Sequence, residues 1–281
     1  MRIVITGGRG QLGRELTRVL VPQHQVAILD LPECDITQRG AVEQIANLVP
    51  DLVIHAAAMT DVDGCARDPL AAFRANALGT QNVALACQRA HAAMLYISTN
   101  EVFDGAKNSP YLEFDEPRPI NPYGASKLAG ERYVQMLLDR FYIVRTAWLY
   151  ARGGNNFPKK IVEAAKANGK LTVVADEIGS PTYAPDLTRA IAQLIETQHH
   201  GIYHLVNEGA VSRLDFATRI LRLAGLGHVP ITPIALADWK RDSTPPRYSA
   251  LANFAAATML GIQLRTWEEA LAEFFNEPMR Q

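Results

Sequence analysis

The stretch Thr6-Gly7-Gly8-Arg9-Gly10-Gln11-Leu12-Gly13 constrains this chain more than any other. It follows a β-branched run, Arg2 to Thr6, and opens an amphipathic stretch from Gln11 to Leu20 with Leu12, Leu16, Val19 and Leu20 at helical spacing. The passage reads as strand, tight turn and helix. In that setting Gly7, Gly10 and Gly13 let the backbone turn sharply and approach a pyrophosphate, whose charge the helix N-terminus meets. A glycine trio alone is a weak signal, because many turns are glycine-rich. Its place between a strand and a helix makes it a dinucleotide fingerprint, with Arg9, Gln11 and Leu12 carried along in the turn.

The unit recurs. Strands are expected at Val26 to Leu29, Leu52 to Ala56, Met94 to Ile97 and Tyr142 to Thr146. Helices are expected at Ala41 to Leu48, Pro69 to His91 as one long element, Pro122 to Leu138 and Pro158 to Asn168. Such alternation implies an α/β fold with a doubly wound parallel sheet and a ligand across the carboxyl ends of its strands. After Tyr150 the alternation becomes irregular, and Val229 to Pro246 is proline-containing with little periodicity. We therefore expect a dinucleotide-binding domain over 1–150, rejoined by some later segments, and a smaller substrate-binding lobe over most of 151–281.

Composition narrows the function classes. The 28 basic residues nearly cancel the 29 acidic ones, leaving no overall field to draw nucleic acid or an anionic membrane, so an anionic ligand has to be caught locally. Cys34, Cys65 and Cys87 lie at wide spacing without a paired pattern for zinc or a redox couple, and no metal is expected. No apolar run reaches the length of a membrane span, and the first residues meet glycine before signal-peptide length, so a cytoplasmic location is expected.

Two further sites carry chemistry. Asp30 closes the second strand where an acidic residue would bond the adenosine ribose hydroxyls, which favours NADH; Arg9 could instead bind a 2′-phosphate, which favours NADPH, or be a solvated loop charge. The balance tips slightly to NADH. The segment Tyr123-Gly-Ala-Ser-Lys127 puts a phenol and an ammonium one helical turn apart on one face. In carbonyl reduction the Lys127 charge is expected to lower the Tyr123 pKa, so that the phenol gives its proton to a developing alkoxide. Ser98 and Thr99, ending a strand, supply the third hydroxyl.

The motifs TGGRGQLG, HAAAMTDVD, YISTNEVFDG, NPYGASKLAGE, RTAWLY, GGNNF and DEIGSPTY together resemble the dTDP-4-dehydrorhamnose reductase family over nearly the whole chain. The first are general to extended short-chain dehydrogenases, whose fold is Rossmann-like; VFDG, WLY, GNNF and GSPT are more specific. The resemblance implies Thr99, Tyr123 and Lys127 as catalytic residues, and Gly7, Gly10, Gly13, Asp30, Asp35, Ile36, Ala56, Ala57 and Ala58 around a nicotinamide dinucleotide. It implies a nucleotide-sugar substrate near Asn100, Glu101, Trp148, Asn155, Asn156 and Phe157, and a homodimer is compatible with it. On the residues alone, Trp148 also reads as a core aromatic at a strand end, and Asn155 and Asn156 as turn chemistry.

Three departures stand out. The family's Ser-Thr-Asp-Tyr is here Ser98-Thr99-Asn100-Glu101, the acidic residue usual after the Val-Asp pair is missing beyond Val62-Asp63, and the C-terminal arginine is displaced in Pro245-Pro246-Arg247-Tyr248-Ser249-Ala250-Leu251. Glu101 opens an alternative, since sugar-nucleotide dehydratases and epimerases of the extended kind resemble this segment, and the dehydratases carry an Asp-Glu pair there. Dehydration needs that acid and base together, and Asn100 cannot donate an acidic proton. A second alternative is a non-catalytic dinucleotide-binding subunit, such as the regulatory subunit of methionine adenosyltransferase. Intact Thr99, Tyr123 and Lys127 argue against it.

Overall fold

The computed structural model describes residues 1–276. Six strands form one wholly parallel sheet: β1 (Arg2–Thr6), β2 (Gln25–Leu29), β3 (Leu52–His55), β4 (Ala93–Thr99), β5 (Phe141–Thr146) and β6 (Gly201–His204), in the order β6-β5-β4-β3-β1-β2. The chain runs outward from β1 to β2, then returns past it to β3. The crossovers on either side of β1 therefore diverge, and a crevice opens at the carboxyl ends of β1 and β3.

Alternation along each strand divides the sheet's two faces. Ile3 and Ile5 of β1, Leu95 of β4 and Val144 of β5 pack with Leu16 and Leu20 of helix Gln11–Leu20 and with Leu187, Ile191 and Leu194 of helix Ala184–Thr197. Val4, Val53, Met94 and Ile143 point the other way, against Ile45 of helix Gly40–Ala46, Val83 of helix Gly79–Ala90 and Val134 of helix Pro122–Leu137. Side chains of this kind each contribute about 1.5–3 kcal/mol when fully buried, so the sheet is clamped from both sides. Helix Ala184–Thr197 and β6, late in the chain, belong to this layered unit.

A further core gathers residues from Tyr150 onward: Ile161, Leu171, Tyr183, Phe216, Trp267 and Leu271 pack around Tyr150. Short strand pairs trim it, with Leu171–Val174 parallel to Ile231–Ile234, and Ile178–Gly179 antiparallel to Val211–Ser212.

Two sequence expectations need correction. The stretch Pro69 to His91 is not one uniform α-helix; Pro69–Phe73 and Gly79–Ala90 are joined by π-helical Arg74–Leu78. The bulge coincides with Asn76, fully buried, whose amide accepts from Met59 N–H at 2.8 Å and donates to Met59 O and to Ser126 Oγ, both at 3.0 Å. Tertiary hydrogen bonds there outweigh the regular helical period. Within Val229 to Pro246, the strand Ile231–Ile234 exists because Leu171–Val174 offers it a pairing edge; Pro233 weakens its signal.

The glycine turn is built on close contact. Gly7 has φ +72°, and a Cβ there would meet Ala57 N at 2.6 Å; at Gly13 it would meet Gly7 O at 2.3 Å. Gly13→Ala should therefore destabilise the protein by about 1–3 kcal/mol and weaken dinucleotide binding, since helix Gln11–Leu20 has to move away from the turn. Thermal melts with and without dinucleotide check this; an unchanged melting temperature would contradict the packing argument.

Candidate active site

A cleft of about 870 Å³ lies over the carboxyl ends of β1, β3 and β4. It is lined at one end by Gly7, Arg9, Gly10, Gln11, Leu12 and Gly13, with Asp30, Asp35, Ile36, Ala56, Ala57 and Ala58 around them. At the other end stand Thr99, Asn100, Glu101, Tyr123, Lys127 and Trp148, while Asn155 borders the cleft beside Gln11. Every proposed catalytic and cofactor residue thus borders one cavity. Asn156 and Phe157 do not. Asn156 caps helix Phe157–Asn168 by accepting from Lys159 N–H at 3.2 Å and donates to Ala151 O at 2.5 Å and Gln11 Oε1 at 3.1 Å. Phe157 stacks on Phe216, with centroids 5.7 Å apart. The turn reading of Asn156 fits its placement, and its bond to Gln11 ties it to the glycine turn, whereas Phe157 packs in the later core.

The residues present suit a dinucleotide. The backbone at Gly7 and Gly13 leaves no room for a side chain, and the N-terminus of helix Gln11–Leu20 opens onto the cleft with Gly10 as its extended cap. Asp30 accepts from the N–H groups of Arg9 and Leu31, both at 2.8 Å. The Arg9 guanidinium donates to Glu33 at 2.8 and 2.9 Å and to Leu31 O at 2.6 Å, in an exposed fork. Asp35 is held by Thr37 N–H and hydroxyl at 2.9 and 2.8 Å, which keeps its carboxyl below the usual range. The Ile36 carbonyl accepts from Asn82 at 2.8 Å.

Three elements converge at the catalytic end. Helix Pro122–Leu137 starts at Asn121, whose side chain accepts from Gly124 N–H at 2.8 Å, with Pro122 at the first helical position. The helix then presents Tyr123 and Lys127 on one face. Strand β4 ends in Thr99, whose hydroxyl accepts from Glu101 N–H at 3.2 Å and donates to Asn100 Oδ1 at 3.2 Å. Asn100, buried, donates to Ser249 Oγ at 2.7 Å, which ties the strand end to the C-terminal segment.

The electrostatics differ from the sequence expectation. Burial, and secondarily the Glu101 charge, raises the Tyr123 phenol above its ordinary value, with the Thr99 hydroxyl opposing. Lys127 is itself pushed down to about 7 by burial, against the pull of Glu131. The expected net lowering of Tyr123 is not found: desolvation of the phenol outweighs the opposing Thr99 hydroxyl.

Glu101 is part-buried and accepts from Asn121 Nδ2 at 2.5 Å. Its carboxyl is raised to about 7, chiefly by burial, with Glu177 adding to the rise and Asn121, Arg241 and Arg213 opposing it. Sequence reasoning missed Arg213 and Arg241. Arg213 borders the cleft with its guanidinium 3.4 Å above the Trp148 ring and paired to Glu177 at 3.0 and 3.1 Å. Arg241 pairs with Asp63 at 2.9 Å, whereas Arg247 of the displaced motif points outward, its side chain 74% exposed. No local motif marks these arginines, because their partners lie at distant positions. Trp148 adopts φ +42° and sits over Gly179, where a Cβ would meet the indole at 2.4 Å, so the tryptophan is clamped at the cleft wall.

Such a parallel sheet, with a glycine turn at its switch point and a Thr-Tyr-Lys group opposite, defines an extended short-chain dehydrogenase type of protein. Residues 1–279 match the family described as "RmlD substrate binding domain". The chain is 38% identical to the dTDP-4-dehydrorhamnose reductase of Aggregatibacter actinomycetemcomitans over 96% of its own length and 97% of that protein's. It superposes with TM-score 0.94 on a dTDP-4-dehydrorhamnose reductase from Clostridium acetobutylicum, at 40% identity and 98% coverage of both chains. It does equally on the Bacillus anthracis enzyme solved in complex with NADP, at 39% identity and 98% coverage of both. The chain belongs to the dTDP-4-dehydrorhamnose reductase family.

The raised Glu101 carboxyl has a testable sign. A folded-state value of about 7, above the ordinary 4.5, favours the protonated form. The associated stability is full below the ordinary value and is lost as pH rises through about 7. Glu101→Gln should thus gain stability over wild type near pH 8, by roughly 1–3 kcal/mol, and little near pH 5. Denaturant melts at the two pH values decide; equal effects at both would exclude a raised carboxyl.

Proposed function

We propose that this protein reduces the 4-keto group of a nucleotide-linked 6-deoxy-4-keto-hexose, most simply dTDP-4-dehydrorhamnose to dTDP-L-rhamnose. The convergence of Thr99, Tyr123 and Lys127 on the same cleft as the glycine turn carries this reading. When bound, a reduced nicotinamide supplies the hydride. Gly7, Gly10, Gly13 and the helix N-terminus would hold its pyrophosphate, Asp30 its adenosine ribose, and Lys127 its nicotinamide ribose.

Thr99 and Tyr123 bind and orient the substrate carbonyl, and the Tyr123 phenol donates its proton to the carbonyl oxygen. Burial raises the phenol and so opposes proton transfer, which makes stabilisation of the resulting phenolate by Lys127 the more necessary. Trp148, stiffened by Arg213 and Gly179, offers a rigid wall to the sugar, Asn100 and Glu101 are its polar contacts, and Asn155 stands near the nucleotide diphosphate. The lobe formed mainly by 151–281 closes the substrate side. The reductase reading is favoured over a dehydratase by Asn100, an amide already donating to Ser249, at the position where an acid would have to stand. Three free, buried cysteines accord with a reducing, cytoplasmic compartment.

Tyr123→Phe removes the donor and keeps the ring, so turnover of the keto sugar should fall about 10²-fold or more with dinucleotide binding intact. Near-native turnover would exclude the mechanism.

For the cofactor, we infer that NADH serves at least as well as NADPH. Asp30 places negative charge beside the ribose site, and Arg9 is occupied by Glu33. Asp30→Ala should shift the NADPH to NADH ratio of kcat/KM toward NADPH; strong NADPH selectivity of the wild type would refute the inference.

A further inference from the structure

Beneath the catalytic end lies an ion pair that the proposed mechanism does not use. Glu131 stands one helical turn beyond Lys127 on helix Pro122–Leu137 and is fully buried. Arg145 of β5, 2% exposed, donates to it through Nε at 3.0 Å and through a terminal nitrogen at 2.7 Å. Ser98 adds a third donor at 2.5 Å. Ser98 and Arg145 are register partners on β4 and β5, and Ser98 immediately precedes Thr99. One carboxylate thus joins the strand that carries Thr99 to the helix that carries Tyr123 and Lys127.

The surroundings of Lys127 leave it few sources of negative charge. From β4 the Tyr96 ring lies 4.1 Å from its Nζ. From β3 comes His55, buried and held neutral by burial and by Lys127 itself, and bonded to Thr6 Oγ1 at 2.6 Å and Thr80 Oγ1 at 3.0 Å. Tyr123 of its own helix is a protonated phenol. Arg145, from β5, reaches Glu131 and not the ammonium. Glu131 is the carboxylate that opposes the desolvation of Lys127.

We propose that Glu131 is a positioning residue: gripped by Arg145 and Ser98, it sets the Thr99 strand against the Tyr123 helix and, as a buried carboxylate one helical turn from Lys127, draws that ammonium toward its charged form. The proposal rests on the role given above to Tyr123 and Lys127. A neutral Lys127 could not stabilise phenolate, so the cost of losing Glu131 rises as pH rises.

The test compares wild type, Glu131→Gln and Glu131→Gln/Arg145→Met. Glu131→Gln alone strands a buried guanidinium and threatens folding; the double variant removes both charges. Two readouts are needed: the pH profile of kcat for the keto sugar with saturating reduced dinucleotide, and the pH dependence of Lys127 acetylation by acetic anhydride in the ligand-free protein, read by mass spectrometry. In the double variant the alkaline limb of kcat should move down by about one pH unit or more, with acetylation of Lys127 beginning at correspondingly lower pH. Superimposable acetylation profiles of wild type and double variant would overturn the proposal. Displaced acetylation in proteins that all fail to reduce the keto sugar would uphold it and refute the substrate assignment instead.

Discussion

At Gly7 and Gly13 the backbone approaches Ala57 and the turn itself so closely that a single added carbon would overlap neighbouring atoms. This contact holds the start of helix Gln11–Leu20 against the ends of β1 and β3, at the point where the crossovers diverge. The crevice, the exposed helix N-terminus and the floor formed by Ala56 to Ala58 all follow from that one approach. Substituting bulk there would displace the helix, and with it the whole cofactor end of the cleft.

The catalytic end obeys a different logic. Desolvation sets the ionisation of Tyr123, Glu101 and Lys127 more strongly than their charged neighbours do. Burial raises Tyr123 and Glu101 and lowers Lys127, so each is pushed toward its neutral form. For Tyr123 that weakens the phenol as a proton donor and increases the need for a neighbouring positive charge. For Lys127 it opposes the role, and the Glu131 carboxylate, held by Arg145, counters it in part. A buried pair of this kind is poor evidence for stability, because desolvation offsets its attraction. Its value lies in geometry.

The lobe built from later residues is tied to the catalytic end by polar contacts across the chain. Ser249 accepts from Asn100, Thr244 O accepts from Asn121 at 3.1 Å, and Arg241 pairs with Asp63. Glu101 sits among them with Asn121 as its direct partner, where the family usually has a tyrosine.

Local pattern was enough to specify the strand-turn-helix units, the glycine fingerprint and the Tyr123–Lys127 spacing, because each depends on residues a few positions apart and on periods of about 2 or 3.6. It was enough, with the resemblance, to bring all fifteen of the proposed cofactor and catalytic positions into view, Gly7 to Lys127, all of which border one cleft. The π-helical turn at Arg74–Leu78 escaped, since the Asn76 bonds that coincide with it come from Met59 and Ser126. Strand Ile231–Ile234 escaped because its partner lies some sixty residues earlier. Arg213 over Trp148, Arg241 on Asp63 and Arg145 on Glu131 escaped for the same reason. Only the folded chain decided these pairs, and with them the ionisation of the site: a charge's worth depends on how far water has been excluded around it, and exclusion is a property of packing.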